Sequence, residues 1–550
     1  MSVDLPEEQT LRGREWPYLL GLVLVGLGLF VHRLGVPGLM DPDEGRYAEI
    51  AREIWVLKDW LIPHLNLLPY LEKPPLVYWL TALSFGGLGF NEWAARLPSA
   101  LAALGGVLTA YGLGRALWGP LPGFLSGLVL ATCGGYVVLG RILTLDMALA
   151  FFLNLGVGLG YLALSRGRRR LWPWAYLALA LGVLTKGPVA VLLPLLIWGL
   201  WCGLTRFQNW QDLLQPLSWL LLAAVSLPWF AYVAWRYPPF LKFFLWEQHL
   251  GRYLTASIHY QEPFYYYGPV LLAFFLPWSW LLGWALGRLR NIPGPDRLFL
   301  LVWCGVILVF FSLSRGKLAS YILPALLPLA LLLGGVLAEQ LKARKDFVQD
   351  RGLFFTLTVW LVLGWVLLVL YFWSPPFLAG ELAKTALLSP FLPLCLGVLA
   401  LTPTLALLWR RLEFLFLGAL LLALLIPGGI EGLSTRRSPR GLGRVLASQW
   451  QPGSALIGWH LYSQGVSFYS GQAFHLLNFR SELDFGRRLD PQSGLFFASP
   501  AEMAEFAESQ GQVFFFLRRE YYSLLERTLF GNFSLLAQYK DCILVAYKGK

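Results

Sequence analysis

Long apolar runs recur along this chain at 16–35, 93–118, 121–140, 145–165, 170–186, 187–205, 213–235, 266–287, 297–313, 318–339, 353–373, 386–409 and 411–428. A run of roughly 17 to 25 apolar residues crosses the hydrocarbon core of a bilayer as one helix. Inside that core only helices and closed barrels satisfy their own backbone groups. The sequence therefore predicts a polytopic α-helical membrane protein of about thirteen transmembrane helices, with Lys186-Gly187-Pro188 dividing the stretch 170–205. Charged residues make up 14% of the 550 residues, against about a quarter in soluble domains, which excludes a water-soluble multidomain enzyme.

The net charge of +12 is explained first by topology. With Arg12 and Arg14 on the cytoplasmic side, the short loops carrying Arg166, Arg168, Arg169 and Arg170, then Arg206, Arg288, Arg290 and Arg297, Lys342, Arg344, Lys345 and Arg351, and Arg410 and Arg411 all fall on that side, as the positive-inside rule requires. No aromatic-interleaved basic groove is visible, so nucleic acid is not an expected partner. The first apolar run lacks a small-residue cleavage site before Asp41 and is expected to be a retained span. Five scattered cysteines form neither a disulfide framework nor a CxxC metal site.

An odd number of spans places the tail, 429–550, on the outer face. Its texture changes: strand-like Ser454-Gly458, Gly494-Ala498 and Val513-Leu517 alternate with helical Pro500-Ser509, capped by Ser499, and Glu520-Leu529. Phe533-Tyr539 and Ile543-Tyr547 straddle Lys540-Asp541 as a hairpin. The expected division is thus a membrane domain, 1–428, and a small α/β domain, 429–550.

The first outer loop, 36–92, is long. From Asp43 onward, Tyr47, Ile50, Ala51, Ile54 and Leu57 recur near helical spacing, with Arg46, Glu49 and Glu53 on another face, which predicts an amphipathic helix lying on the membrane. Asp43 and Glu44 occupy its first turn. Asp43 is either an N-cap, satisfying free backbone N–H groups, or a functional carboxylate. Glu72-Lys73-Pro74-Pro75 is either a local ion pair ahead of a second surface helix or part of a site.

Asp146 stands at the outer start of an otherwise apolar span, where an ionisable residue is expensive and faces a cavity or a partner; the alternative is a pair with Arg141. Lys186 occupies an equivalent boundary, with snorkelling to the headgroups as the plain alternative. A later outer region supplies Glu247, His249, Arg252 and His259. Two histidines with carboxylates such as Glu72 offer ligands for a divalent metal, zinc, although their spacing matches no standard compact motif. Tyr265, Tyr266 and Tyr267 read as an interfacial belt. Arg315 and Lys317 lie on the outer side, against the positive-inside trend, and require another anion.

Carboxylates able to take a proton, cations able to hold a phosphate and a position at the outer bilayer surface together suit sugar transfer from a polyprenyl phosphate carrier. The acceptor oxygen attacks the anomeric carbon and the lipid phosphate leaves through an oxocarbenium-like transition state. Lys73, Arg315 and Lys317 would stabilise the leaving phosphate, and a carboxylate near the acceptor would act as base.

The segments "DPDEGRYAEIARE", "YLEKPPLVYWLTAL", "NEWAARLPSAL", "LTLDMALAFF", "LTKGPVA" and "FSLSRGKLASYILPALLPLALLLG", in this order over the first 340 residues, resemble the bacterial aminoarabinose (lipid A) transferases and their protein O-mannosyltransferase relatives, of the GT-C glycosyltransferase fold. The resemblance implies an inverting transferase in the inner membrane, multi-pass, with its active site on the periplasmic face, using a polyprenyl phosphate-linked sugar donor and a lipid, protein or glycan acceptor. It implies that Asp43, with Glu44 beside it, is the catalytic acidic site of the first loop and Asp146 the second. Tyr70, Glu72 and Lys73 match a carrier- or metal-contacting triplet, and Tyr321 a tyrosine lining the carrier pocket, with Arg252, Arg315 and Lys317 as further phosphate-binding candidates. Gly45, where alanine is common, and Arg315-Gly316, where Lys-Ser is frequent, depart from the pattern. A lipid or solute transporter and a non-catalytic envelope-complex subunit are the competing readings; a transporter predicts broken spans meeting at the midplane.

Overall fold

The computed structural model describes residues 15–207, 210–251, 253, 262–343, 347–373, 391–479 and 481–549. Among them every apolar run named above carries helix. Among the described residues eight helices are long and apolar enough to cross a membrane, and ten when two bent pairs each count as one span. The bent pairs are Pro120–Thr132 with Gly134–Gly140, at 68°, and Tyr267–Phe274 with Ser279–Asn291, at 100°. Trp16–Val31 and Val189–Thr205 are shorter apolar helices, and Trp172–Lys186 has 15 residues. The chain is a multi-pass helical membrane protein; among the described residues fewer than thirteen spans are straight and full-length, with Gly and Pro interrupting several runs.

The chain divides into two compact units: Met1–Leu34, Ser99–Phe230 and Leu245–Ile430 form the first, and Gly35–Pro98, Ala231–Phe244 and Glu431–Lys550 the second. The outer loop, expected to go with the membrane domain, thus belongs with the tail. The last apolar helix also runs on to Arg437, past the expected end at 428.

In the first unit, helix Pro120–Thr132 packs on helix Leu326–Lys342 at a close approach: a Cβ on Gly334 would stand 2.3 Å from Ser126 Oγ and 2.6 Å from its backbone nitrogen. Helix Leu145–Ser165 packs against Trp172–Lys186. Near its C-terminal end, buried Asp296 accepts hydrogen bonds from Tyr161 Oη (2.6 Å), Trp118 Nε1 (3.0 Å) and Arg166 Nη2 (3.1 Å). A carboxylate removed from water needs several donors of this kind, and here they tie three helices together.

In the second unit, the hairpin strands β1 (His64–Leu65) and β2 (Leu68–Pro69) pair antiparallel. A six-stranded sheet follows, made of β3 (Ser454–Trp459), β4 (His475–Leu477), β5 (Phe496–Phe497), β6 (Gln512–Arg518), β7 (Asn532–Tyr539) and β8 (Cys542–Lys548) in the order β5-β4-β3-β6-β8-β7. The first four strands are parallel and β8 runs antiparallel to both β6 and β7. Ile457, Trp459, Phe515, Leu517 and Val545 face a core closed by helices Pro500–Ser509 and Tyr522–Thr528. On the other face Trp450 stacks on Phe514 and Phe474 meets Phe516 edge-on. Burial on both faces accounts for the nearly unbroken apolar reading of β3 and β6. The predicted Ser499 cap is present, its hydroxyl accepting from Glu502 N, and the predicted hairpin turns at Lys540, φ 54°.

Helix Asp43–Leu57 corrects one expectation. Glu49 and Glu53, assigned to its solvent face, are 0% and 1% exposed, because helix Gln464–Ser470 covers that side while helix Leu76–Leu88 packs on another. Glu49 is held by Arg52 through two bonds of 2.7 and 2.8 Å, and Glu53 accepts from Leu67 N. Burial, and then the neighbouring Glu49, push the Glu53 carboxyl well above its ordinary range. Most of this helix is packed inside the unit, with Val56 and Leu57 left exposed at its C-terminal end.

Candidate active site

Two polar constellations carry the sequence-predicted residues, one in each unit. In the second unit, Asp41 precedes helix 43–57 and is half-buried. Its carboxylate accepts from Ser463 Oγ at 2.5 Å and Gly465 N at 2.9 Å. Burial raises its pKa to about 6 in spite of those two bonds. Gly45 is required here: a Cβ would stand 2.0 Å from Asp41 Oδ1 and 2.7 Å from Gly465 N. The departure from the alanine common in the resembling family thus has a steric cause.

Asp43 is the first residue of its helix, with Pro42 at the cap position and no side-chain capping bond, so the N-cap alternative is not realised. Its side chain is 68% exposed and lies 3.9 Å from Arg46 Nη1. Glu44, expected to share the chemistry, is instead 3% exposed and grips Arg96, itself 0% exposed, through bonds of 2.7 and 2.8 Å. Arg96 also donates to the carbonyls of Pro37 and Gly38. A fully buried guanidinium requires this set of acceptors, so Glu44 is a structural anchor.

Arg46, one helical turn beyond Asp43, was not singled out by sequence reasoning, although i, i+3 spacing puts both on one face. Its guanidinium lies between Asp43 and Glu482, whose Oε1 is 3.8 Å from Nη2. Its buried Nε has no hydrogen-bond partner among the described residues. Burial disfavours the charged form, but Tyr70, Glu482, Tyr47 and Asp43 outweigh it and hold the pKa above the ordinary value; Arg46 stays cationic. Tyr70 is 3% exposed and donates to Glu72 Oε2 at 3.2 Å, its own pKa pushed up by burial and by Glu72. Lys73 is half-buried in the bend before helix 76–88. Glu482 has no sequence signal: it stands in a turn of the tail, far from any motif.

In the first unit, Asp146 sits in the first turn of helix 145–165, after Thr144, whose hydroxyl caps its backbone nitrogen at 3.2 Å. Its carboxylate pairs with Lys186 Nζ and accepts from Ser320 Oγ at 3.0 Å and Thr144 Oγ1 at 3.3 Å. Lys186, the last residue of helix 172–186, also lies 4.5 Å above the Tyr321 ring. Snorkelling is therefore not its role. Arg141, the partner considered for Asp146, donates to the carbonyls of Leu29 and His32. His249 Nε2 lies 3.2 Å from the Lys186 carbonyl.

Lys317 is 5% exposed and its ammonium donates to the carbonyls of Glu262 and Ser314, so it braces its own loop. Arg315 is exposed. Tyr267 is buried and donates to the Leu318 carbonyl, leaving Tyr265 and Tyr266 for an interfacial belt. Arg252 and His259 lie outside the described residues. Among the described residues no three His, Cys, Asp or Glu side chains gather to hold a metal.

Comparisons with known proteins identify the family and the fold. Residues 72–235 match the family described as dolichyl-phosphate-mannose-protein mannosyltransferase. An undecaprenyl phosphate-alpha-4-amino-4-deoxy-L-arabinose arabinosyl transferase of Edwardsiella ictaluri is 32% identical over 80% of this chain and 81% of its own length. One from Pseudomonas fluorescens is 37% identical over 64% of each chain, so this chain spans under two thirds of that relative. The crystal structure of ArnT from Cupriavidus metallidurans bound to undecaprenyl phosphate superposes with a TM-score of 0.85, at 25% identity, covering 96% of this chain and 98% of that one. The oligosaccharyltransferase AglB of Archaeoglobus fulgidus shares the fold alone, with a TM-score of 0.51 at 13% identity, covering 92% of this chain and 69% of its own.

Proposed function

Because this chain belongs to the family of the undecaprenyl phosphate-α-4-amino-4-deoxy-L-arabinose arabinosyl transferases, of GT-C fold, we propose that it is an inverting membrane glycosyltransferase that moves an aminoarabinose unit from undecaprenyl phosphate to an envelope acceptor of the lipid A type. It works in the inner membrane with its site on the periplasmic face. The observation that carries the reading is Arg46: a half-buried, cationic guanidinium whose Nε has no hydrogen-bond partner among the described residues, beside the exposed carboxylate of Asp43.

Phosphate is the anion this guanidinium is suited to, since its fork of N–H donors matches phosphate oxygens. Lys73, three residues beyond the Tyr70–Glu72 hydrogen bond's first partner, adds a second cation. When the acceptor oxygen bonds to the anomeric carbon, the bond from that carbon to the phosphate oxygen breaks and its electron pair leaves with the lipid phosphate. The cations stabilise the charge that grows there. Asp43 takes the acceptor proton where the acceptor arrives protonated. In the other unit, the Lys186 ammonium holds the Asp146 carboxylate in orientation. Family membership supports transfer over transport.

The deciding experiment uses the purified full chain in detergent with undecaprenyl phosphate-aminoarabinose and lipid A. Modified lipid A, seen by mass spectrometry, is the expected product, and detergent removes any compartment that transport would need. Asp43→Asn should lose transfer while keeping its affinity for undecaprenyl phosphate. Normal turnover by that variant would remove Asp43 from the chemistry; an unmodified lipid A alongside a glycosylated protein would replace the acceptor.

A further inference from the structure

Arg46 is surrounded by charge yet committed to little of it. Its distances to Asp43 and Glu482, 3.9 and 3.8 Å, are ion-pair separations beyond hydrogen-bond length. The two carboxylates stand against different nitrogens, Asp43 at Nη1 and Glu482 at Nη2. Asp43 belongs to the same helix and is 68% exposed, whereas Glu482 comes from the tail and is 10% exposed. Glu482 is itself fixed by Gln464 Nε2, a side chain 4% exposed, on the short helix whose Ser463 and Gly465 hold Asp41. The tail thus grasps the start of helix 43–57 at Asp41 and returns to it at Arg46.

Without the Glu482 charge, Asp43 is the carboxylate left within ion-pair distance of Arg46 among the described residues, three residues away and within reach of a full hydrogen-bonded pair, while Asp41 acts on Arg46 from farther off. Closing that pair would consume donors needed for phosphate and blunt the carboxylate needed for the acceptor. We propose that Glu482 is a positioning residue: acting through Arg46, it holds the guanidinium off Asp43 with donors free for the carrier phosphate. The small α/β domain then has a direct part in donor binding. This rests on the assignment of Arg46 to the phosphate made above.

A double-mutant cycle on undecaprenyl phosphate affinity, measured on the full chain in detergent, tests it. Glu482→Gln should weaken binding about tenfold, as loss of a close charge pair does. Glu482→Asp, which keeps the charge but moves it by one methylene, should fall between that variant and the parent. In an Arg46→Ala background, Glu482→Gln should change affinity by less than about twofold, because the group it acts through is gone. Equal loss in both backgrounds makes Glu482 a general structural residue and overturns the proposal, as does parental affinity in Glu482→Gln. If Arg46→Ala binds as the parent does, the phosphate assignment itself falls and the inference falls with it. Should Glu482→Gln yield no folded protein, Glu482→Asp in the two backgrounds decides by the same comparison.

Discussion

The Asp41 carboxylate accepts a 2.5 Å hydrogen bond from Ser463 Oγ, joining two residues 422 positions apart in the chain. Burial raises its pKa from 3.8 to about 6, so between those values the folded protein holds a proton that the unfolded chain releases. Stability from this group is therefore greatest at low pH, declines as pH rises from about 4 to 6, and stays lowered above by about 3 kcal/mol. Asp41→Asn removes the titration. The melting temperature of the variant relative to the parent should rise across pH 4 to 6 and level off above 7; a difference that is flat with pH would refute this.

Glu44 and Arg96 behave as one buried pair. Glu44→Ala leaves a guanidinium of 0% exposure without its carboxylate and should cost about 3–5 kcal/mol, seen as loss of monodisperse protein in detergent. Glu44→Gln/Arg96→Met should regain much of that stability. Turnover per folded molecule in the double variant should stay within a few-fold of the parent; a collapse of turnover in well-folded protein would return Glu44 to the chemistry.

Asp146 and Lys186 separate differently. Asp146→Asn should lower turnover at least a hundredfold and destabilise, since Lys186 loses its counter-charge. Adding Lys186→Met should restore the melting temperature and leave turnover low. Recovery of both together would make the pair purely structural.

Asn66 stands in for a piece of sheet. Its amide donates to Phe474 O at 2.9 Å and accepts from Phe474 N at 2.7 Å, at φ 55°. Asn66→Ala removes two buried hydrogen bonds and should cost about 2–4 kcal/mol. Limited proteolysis should then cut first within 58–70. Unchanged protection would show the hairpin to be held by other contacts.

Gly45 tests the close approach to Asp41. Gly45→Ala puts a methyl group where the Asp41 carboxylate sits, and should lower the melting temperature and abolish the pH dependence assigned to Asp41. A variant with both properties intact would mean that Asp41 moves aside freely.

The sequence by itself determined what depends on neighbours along the chain. Hydropathy placed the apolar helices because the bilayer tests each segment separately. Alternation and turn chemistry placed the β7–β8 hairpin and the Ser499 cap because both are set within a few residues. Asp146 stood out because an ionisable group beside an apolar run is costly, and the resemblance to a known family marked Asp43, Tyr70 and Lys73. Tertiary structure alone decided which charges are spent. Glu44 looked as available as Asp43 until Arg96 was found against it; Lys186 looked like a headgroup anchor until it met Asp146; Glu49 and Glu53 looked solvated until helix 464–470 covered them. Arg46 and Glu482 gained their meaning from each other. A charge's role follows from the partner that replaces its water, and in this protein several of those partners lie hundreds of residues away, where no local pattern reaches.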